Sequence, residues 1–305
     1  RSLNMAFRVV LIENEIDAKI KLDNLVLNTS EGEIWIPVSD ISVIVLDNLR
    51  ITLSTRFLCT LAKNNVALIL CDEKHLPIGL FCSYDNHSRA FKHLGYQIKT
   101  EEEFYDKLWK DIVVRKILNQ AAVIKKIGKS DEVYEAIKYM ASETRNGDKT
   151  NREAHAAKIY FNELMNTSFS RGNDELLLNS GLDYGYTIIR SYIARICVGY
   201  GLNSQLGIHH KNEYNRFNLI DDLMEPIRPI LDYYAYFLLD EEEYFTADHR
   251  KKLINFLNHK IIYRNKKMYI TNVIEEYVAQ YAALLSGNRE YIDLPKFEGY
   301  EGDWL

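Results

Sequence analysis

The sequence has few cysteines, no apolar run of transmembrane length and no excess of positive charge. The four cysteines are Cys59, Cys71, Cys82 and Cys197. None forms a Cys-x-x-Cys pair and no histidine stands at zinc-finger spacing from them, so a thiolate zinc site is excluded. Three lie in apolar, strand-like contexts, and they read as buried, reduced thiols of a cytoplasmic protein. No charged-then-apolar signal opens the chain, and the expectation is a protein without a membrane span. Arg1 to Asn4 precede Met5, read as appended residues, and are set aside. The formal net charge is −5. That total argues weakly against a nucleic-acid partner, yet phosphate binding needs only a local basic patch. Neither an internal repeat nor a low-complexity tract is visible.

What is present is a chain of 305 residues, 47% of them hydrophobic, enough to bury a core in one large or two medium domains. A charged fraction of 27% excludes wholesale disorder. The 21 tyrosines suit an interface, but suit a half-buried core better.

Apolar runs and alternation predict strands over residues 7–12, 18–22, 25–27, 33–37, 41–46 and 66–71, with Asp23-Asn24 as a tight turn. Helical spacing of Phe57, Leu58, Leu61 and Ala62 predicts a helix over 52–64. Pro77-Ile-Gly79 punctuates a last pairing that ends near Ser83. The composition then shifts near Gly95. Thr100 stands three residues before Glu103, a capping-box spacing, and Phe104, Leu108, Ile112, Arg115 and Ile117 follow at roughly helical period. Further helices are expected over 131–142, 151–165, 184–200, 219–238, 246–257 and 271–285, and no long strand after about residue 100. The fold class is therefore α+β. A mostly β N-terminal domain over 1–97 precedes a larger all-α domain over 98–305, with a polar tail after Gly287 that is ordered only in part.

Three segments of the helical half carry candidate chemistry. In Asn151-Arg-Glu-Ala-His155, Asn151 is a good N-cap, which places Glu153 in the first turn. Alone, Glu153 reads as favouring the helix dipole, worth about 0.3–1 kcal/mol. In Gly207-Ile-His-His-Lys211 the adjacent histidines are surface residues or metal ligands. In 217–229, Asp221, Asp222 and Glu225 crowd one face of a helix and repel one another unless a cation or Arg228 neutralises them. Pro226 removes a backbone hydrogen bond there and sets a kink. Spacing alone does not show that the three segments converge.

At these residues the chain resembles the CRISPR-associated adaptation integrases, the Cas1 family. The resemblance rests on Met-Ala-Phe-Arg-Val-Val10, 151–161, Gly181-Leu-Asp-Tyr-Gly-Tyr186, Gln205-Leu-Gly-Ile-His-His210 and 217–229, and spans nearly the whole chain. The wording is most like type II-A members, which work beside the Cas9 effector nuclease. The resemblance implies a β domain that dimerises, joined to a helical catalytic domain. It implies three metal ligands: Glu153; His210, which keeps the fifteen-residue interval to the next ligand, with His209 the weaker candidate; and Glu225. Many relatives carry Asp at the last position and Asn where Asp183 stands. The cofactor implied is Mg²⁺ or Mn²⁺. The implied reaction inserts short foreign DNA fragments (spacers) at the repeat of a CRISPR array by transesterification. Implied partners are double-stranded DNA, a second copy of the chain, a Cas2 dimer in a four-to-two complex, and other type II-A adaptation proteins. Lys125-Lys126, Arg250-Lys251-Lys252 and Arg264-Asn-Lys-Lys267 are the candidate phosphate contacts. Two alternatives stand beside this: a metal-dependent nuclease that only hydrolyses DNA, and a non-catalytic DNA-binding scaffold whose acidic cluster is structural.

Overall fold

A computed structural model describes residues 8–15, 18–29, 32–84, 89–165, 177–239 and 242–302. The opening Met-Ala-Phe of the first motif, which includes the start of the first expected strand, lies outside the described residues, as do the last three of the tail. The strand-rich start comprises β1 (Arg8–Ile12), β2 (Ala18–Lys21), β3 (Asn24–Thr29), β4 (Gly32–Pro37), β5 (Ile41–Leu46), β6 (Ala67–Cys71) and β7 (Pro77–Phe81). Helix α1 (Thr55–Lys63) joins β5 to β6. The strands form two sheets. One has the order β1-β5-β6-β7, parallel except at the β7 edge, and the other is the antiparallel meander β2-β3-β4.

All six residues of β5 are buried, the pattern of a strand covered on both faces. Side chains alternate between the faces. Ile44 and Leu46 pack with Leu25 and Leu27 of the meander and with Phe57 and Leu61 of α1. Val43 and Val45 face the other way and share a core with the helices. The β2–β3 turn falls at Leu22-Asp23, one residue before the expected place. Both residues have positive φ, and Asn24 already pairs with Lys21.

The remainder is helical: α2 (Ala90–Lys99), α3 (Glu102–Ile127), α4 (Asp131–Glu143), α5 (Arg152–Met165), α6 (Leu177–Gly199), α7 (Asn218–Met224), α8 (Arg228–Leu239), α9 (Ala247–Asn255) and α10 (Ile270–Leu285). Gly95 lies inside α2 rather than in a linker. Thr100 does not cap α3. Its hydroxyl donates to the Tyr96 carbonyl at 2.8 Å and closes α2 instead. The 26-residue α3 is the spine, packed against α4, α5 and α8. Gly185 lets α6 lie close to α8, since a Cβ there would stand 2.6 Å from Leu231 Cδ2.

Two features depart from an all-α reading of this half. A hairpin, β8 (Lys260–Tyr263) with β9 (Lys266–Tyr269), follows α9. Its two-residue turn, Arg264-Asn265, has φ of 50° and 62°, the mirror-image turn that matches strand twist. The tail is also better held than its composition suggested. Asn119, buried on α3, donates to the Pro295 carbonyl at 3.0 Å and accepts the Phe297 N–H at 3.0 Å. Glu301 pairs with Lys260 across a β-bridge.

Polar contacts tie the sheet to the helices. The buried carboxylate of Asp47 meets His75 Nδ1 at 2.7 Å and Arg250 Nε at 3.0 Å. Arg250, a candidate phosphate contact, is thus a buried ion-pair partner. Cys71 and Cys197 are buried, and burial pushes both thiols up to about 12. Cys59 is exposed on α1, against expectation. Among the described residues no helix is long and apolar enough to cross a membrane.

Candidate active site

Glu153 is positioned by the start of α5. The first-turn N–H groups of Arg152 and Glu153 donate to the Asp148 carboxylate at 2.8 and 3.0 Å, so the side chain that caps the helix is Asp148, not Asn151. Asn151 instead supplies a left-handed turn (φ 53°), which Asn tolerates better than most residues, and its carbonyl accepts the His155 N–H. Glu153 stands in the first turn as expected, and its Oε1 lies 2.6 Å from Lys116 Nζ on α3.

The histidine pair sits on the loop between α6 and α7, folded around one carboxylate. Asp222, fully buried on α7, accepts the His209 N–H at 2.9 Å and the His210 N–H at 3.3 Å. Its Oδ1 lies 2.5 Å from His210 Nδ1. This bond fixes the imidazole and leaves Nε2 as the nitrogen able to bind a further group. Only glycine fits at position 207, because a Cβ there would come within 2.3 Å of the His210 carbonyl oxygen and 2.8 Å of Asp222 Oδ2. The hydrogen bond to Asp222 raises the His210 pKa. Burial opposes the rise, and the charges of Asp222, Glu225 and Glu153 add to it. His209 turns elsewhere, stacking flat on Trp109 with ring centres 4.5 Å apart.

Glu225 sits in the break that Pro226 makes. The expected helix over 219–238 is two helices: α7 ends at Met224 and α8 starts at Arg228. Asn119 donates to the Pro226 carbonyl at 2.7 Å, satisfying backbone left open by the break. The Glu225 side chain is 6% exposed, with Arg228 Nε 3.0 Å from Oε1 and Lys116 paired with Oε2. Burial pushes this carboxyl up, but Arg228 and Lys116 outweigh burial and hold it at about 2. Both oxygens of this buried carboxylate are therefore met by a cation, Arg228 on Oε1 and Lys116 on Oε2.

The crowding of three carboxylates is resolved by divergence. Asp221 takes Arg190 and Asn215, each at 2.8 Å, Asp222 takes the histidine loop, and Glu225 turns to Lys116 and Arg228. Glu153 on α5 and Glu225 in the break between α7 and α8 therefore share a single ammonium, with His210 close enough to feel both charges. As the side chains stand, no three His, Cys, Asp or Glu groups among the described residues are disposed to hold a metal ion. The donor chemistry does fit a hard divalent cation: two carboxylates already gathered on one cation and an imidazole anchored through Nδ1. A cavity of about 640 Å³ opens beside His210, lined also by Gln97, Tyr105, Gly207 and Asn218.

Beyond Glu225 the network continues. The Arg228 guanidinium lies 4.5 Å over the Tyr186 ring, and the Tyr186 hydroxyl donates to the buried Asp232. Neither Lys116 nor Asp232 is reached by sequence reasoning. A charge between Val113 and Ile117 on the apolar face of α3 was the available signal for Lys116. Asp183, the departure noted in the Gly181 motif, is exposed on α6.

The family model described as CRISPR associated protein Cas1 matches residues 9–260. The chain belongs to the Cas1 family. It is 32% identical over 296 residues to the CRISPR-associated endonuclease Cas1 of Neisseria meningitidis serogroup C (strain 8013), covering 96% of this chain and 97% of that relative. Its fold resembles a casposase solved bound to integration product, with a TM-score of 0.75 at 19% identity over 98% of this chain and 96% of the other. It also resembles a chain of a Cas6-RT-Cas1–Cas2 complex, with a TM-score of 0.71 at 15% identity over 96% of this chain and 36% of that one. As a Cas1-family member it is a CRISPR-associated protein, with the strand-rich start and helical remainder seen in its structural neighbours.

Proposed function

We propose that this Cas1-family chain is a metal-dependent DNA integrase of CRISPR adaptation, inserting spacer fragments into the array by transesterification, with Glu153, His210 and Glu225 as its metal ligands. The observation that carries this is the convergence of Glu153 and Glu225 on one cation beside an imidazole anchored by Asp222. A Mg²⁺ or Mn²⁺ ion held by the three side chains would polarise the scissile phosphate and stabilise charge on the attacking or leaving oxygen. Asp222 keeps the imidazole oriented and its Nδ1 occupied. Arg228, fixed over Tyr186, holds Glu225 from the far side. The reaction exchanges one phosphodiester for another: a fragment's 3′-hydroxyl attacks at the repeat edge and the older 3′-oxygen leaves, with no covalent enzyme intermediate. The solved structures of similar fold include one bound to integration product and one from a complex containing Cas2, which supports DNA and Cas2 as partners.

The 1–97 region is proposed to dimerise. Ile34 and Trp35 are about half exposed on β4, an edge strand whose open side a second copy can cover. Lys125 and Lys126, exposed at the end of α3, are the best of the three candidate phosphate contacts. Most of the other basic groups are engaged: Lys251 by Glu13, Lys252 by Asp248, Arg264 by Glu276 and Asp293, and Lys267 by Glu301. One observation favours the scaffold alternative, namely that Lys116 and Arg228 already neutralise the acidic pair. The deciding experiment combines the purified chain, its small dimeric partner, fragments with free 3′-hydroxyls, a supercoiled array plasmid and Mn²⁺. Covalently joined product supports the integrase, cleavage without joining supports a nuclease, and neither product supports a scaffold.

A further inference from the structure

Lys116 stands where lysine seldom does. Its side chain is 8% exposed, on the face of α3 that also buries Ile112, Val113 and Ile117. A lysine is almost never this buried unless paired. Here it is paired twice, with Glu153 Oε1 at 2.6 Å and with Glu225 Oε2. With Arg228 on Glu225, the cluster holds two carboxylates and two cations and sums to zero. Were a divalent ion added with both cations retained, the buried site would carry excess positive charge even with the Asp222 carboxylate behind His210 counted, which low dielectric makes unfavourable. One cation has to withdraw. Arg228 is planar and stacked over Tyr186. Lys116 is a point charge on a flexible four-carbon stem, and is the one able to move.

We propose that Lys116 is the site's built-in counter-cation, holding Glu153 and Glu225 together on its ammonium in the metal-free protein and competing with the divalent cation for both. The proposal rests on the reading of these residues as metal ligands. Lys116 is then a positioning residue: it keeps the carboxylates of Glu153 and Glu225 assembled between metal-binding events and sets how tightly the metal is held.

The test is a calorimetric Mn²⁺ titration of the full chain, as wild type, Lys116→Met and Lys116→Arg, with thermal midpoints measured with and without Mn²⁺. Lys116→Met matches the stem but carries no charge. It is expected to lower the metal-free midpoint, to bind Mn²⁺ at least about tenfold more tightly than wild type, and to gain more thermal stability from it. Lys116→Arg keeps the charge and should bind no more tightly than wild type. Lys116→Met binding Mn²⁺ with wild-type or weaker affinity overturns the proposal while leaving the metal site standing. Absence of binding by all three proteins overturns the metal reading and the proposal with it. Should Lys116→Met fold only with Mn²⁺ present, that rescue supports the competition. A Mn²⁺-bound wild-type structure then decides independently: Lys116 Nζ should lie beyond about 4 Å from both carboxylates, and finding it still paired with both overturns the proposal.

Discussion

Nδ1 of His210 lies 2.5 Å from Oδ1 of Asp222, a carboxylate with no solvent exposure that also receives the backbone N–H groups of both loop histidines. This one residue sets the loop, the ring orientation and the choice between His209 and His210. Asp222 thereby orients His210, the imidazole proposed above as a metal ligand.

Replacing Asp222 with Asn keeps the shape and removes the charge. Partners of metal-binding histidines contribute typically about 10–100-fold to metal affinity or activity. Asp222→Asn is expected to lose Mn²⁺ affinity within that range by calorimetry, with the chain still folded by circular dichroism. Unchanged affinity would show that the Asp222–His210 bond serves only the loop.

Asn119 joins the Pro226 break to the tail, bonding the Pro226 carbonyl, the Pro295 carbonyl and the Phe297 N–H from one buried amide. Asn119→Ala leaves those backbone groups without that partner, a loss of at least about 1–3 kcal/mol. Urea unfolding should show the loss, and limited proteolysis should cut within residues 287–302 sooner. A tail as resistant as the wild type's would mean that other contacts hold it.

These relationships mark where sequence reading ends. The run at 41–46 announced a buried strand because both faces of β5 are covered, a property written locally in its side chains. The helices over 131–142 and 151–165 were legible for the same reason, since a period of 3.6 needs no knowledge of the partner. Lys116 was not legible. Its partners stand far along the chain, Glu153 being 37 positions away, and the α3 periodicity was read through Arg115 instead. The tail looked loose because Gly and Pro punctuate it. What pins it is Asn119, 176 positions from Pro295. The hairpin after α9 was missed because its strands have four residues each, too short for alternation to register.

Asp232 gives a pH prediction. Burial pushes its carboxyl up to about 7, with Tyr186 and Arg228 among the groups opposing the rise. The unfolded chain ionises this group near pH 4. A raised folded value means that the stability it contributes is complete below about pH 4 and is lost as pH rises through about 7. Between pH 5 and 8 the loss is on the order of 2 kcal/mol. Asp232→Asn cannot ionise, so its urea midpoint should fall less than the wild type's over that interval. Parallel pH profiles for the two proteins would contradict a protonated Asp232 in the folded state.

If Glu225 is a metal ligand for DNA joining, its loss separates joining from DNA binding, and a paired assay reads both. Glu225→Ala and wild type, each with the small dimeric partner, are assayed from the same preparations for DNA binding by gel shift and for joining of 3′-hydroxyl fragments in Mn²⁺. Glu225→Ala leaves Lys116 and Arg228 short of a counter-charge and is expected to be less stable, but at a temperature where it stays folded it should bind DNA and assemble like wild type and give no joined product. Joining by Glu225→Ala at the wild-type rate would contradict that role.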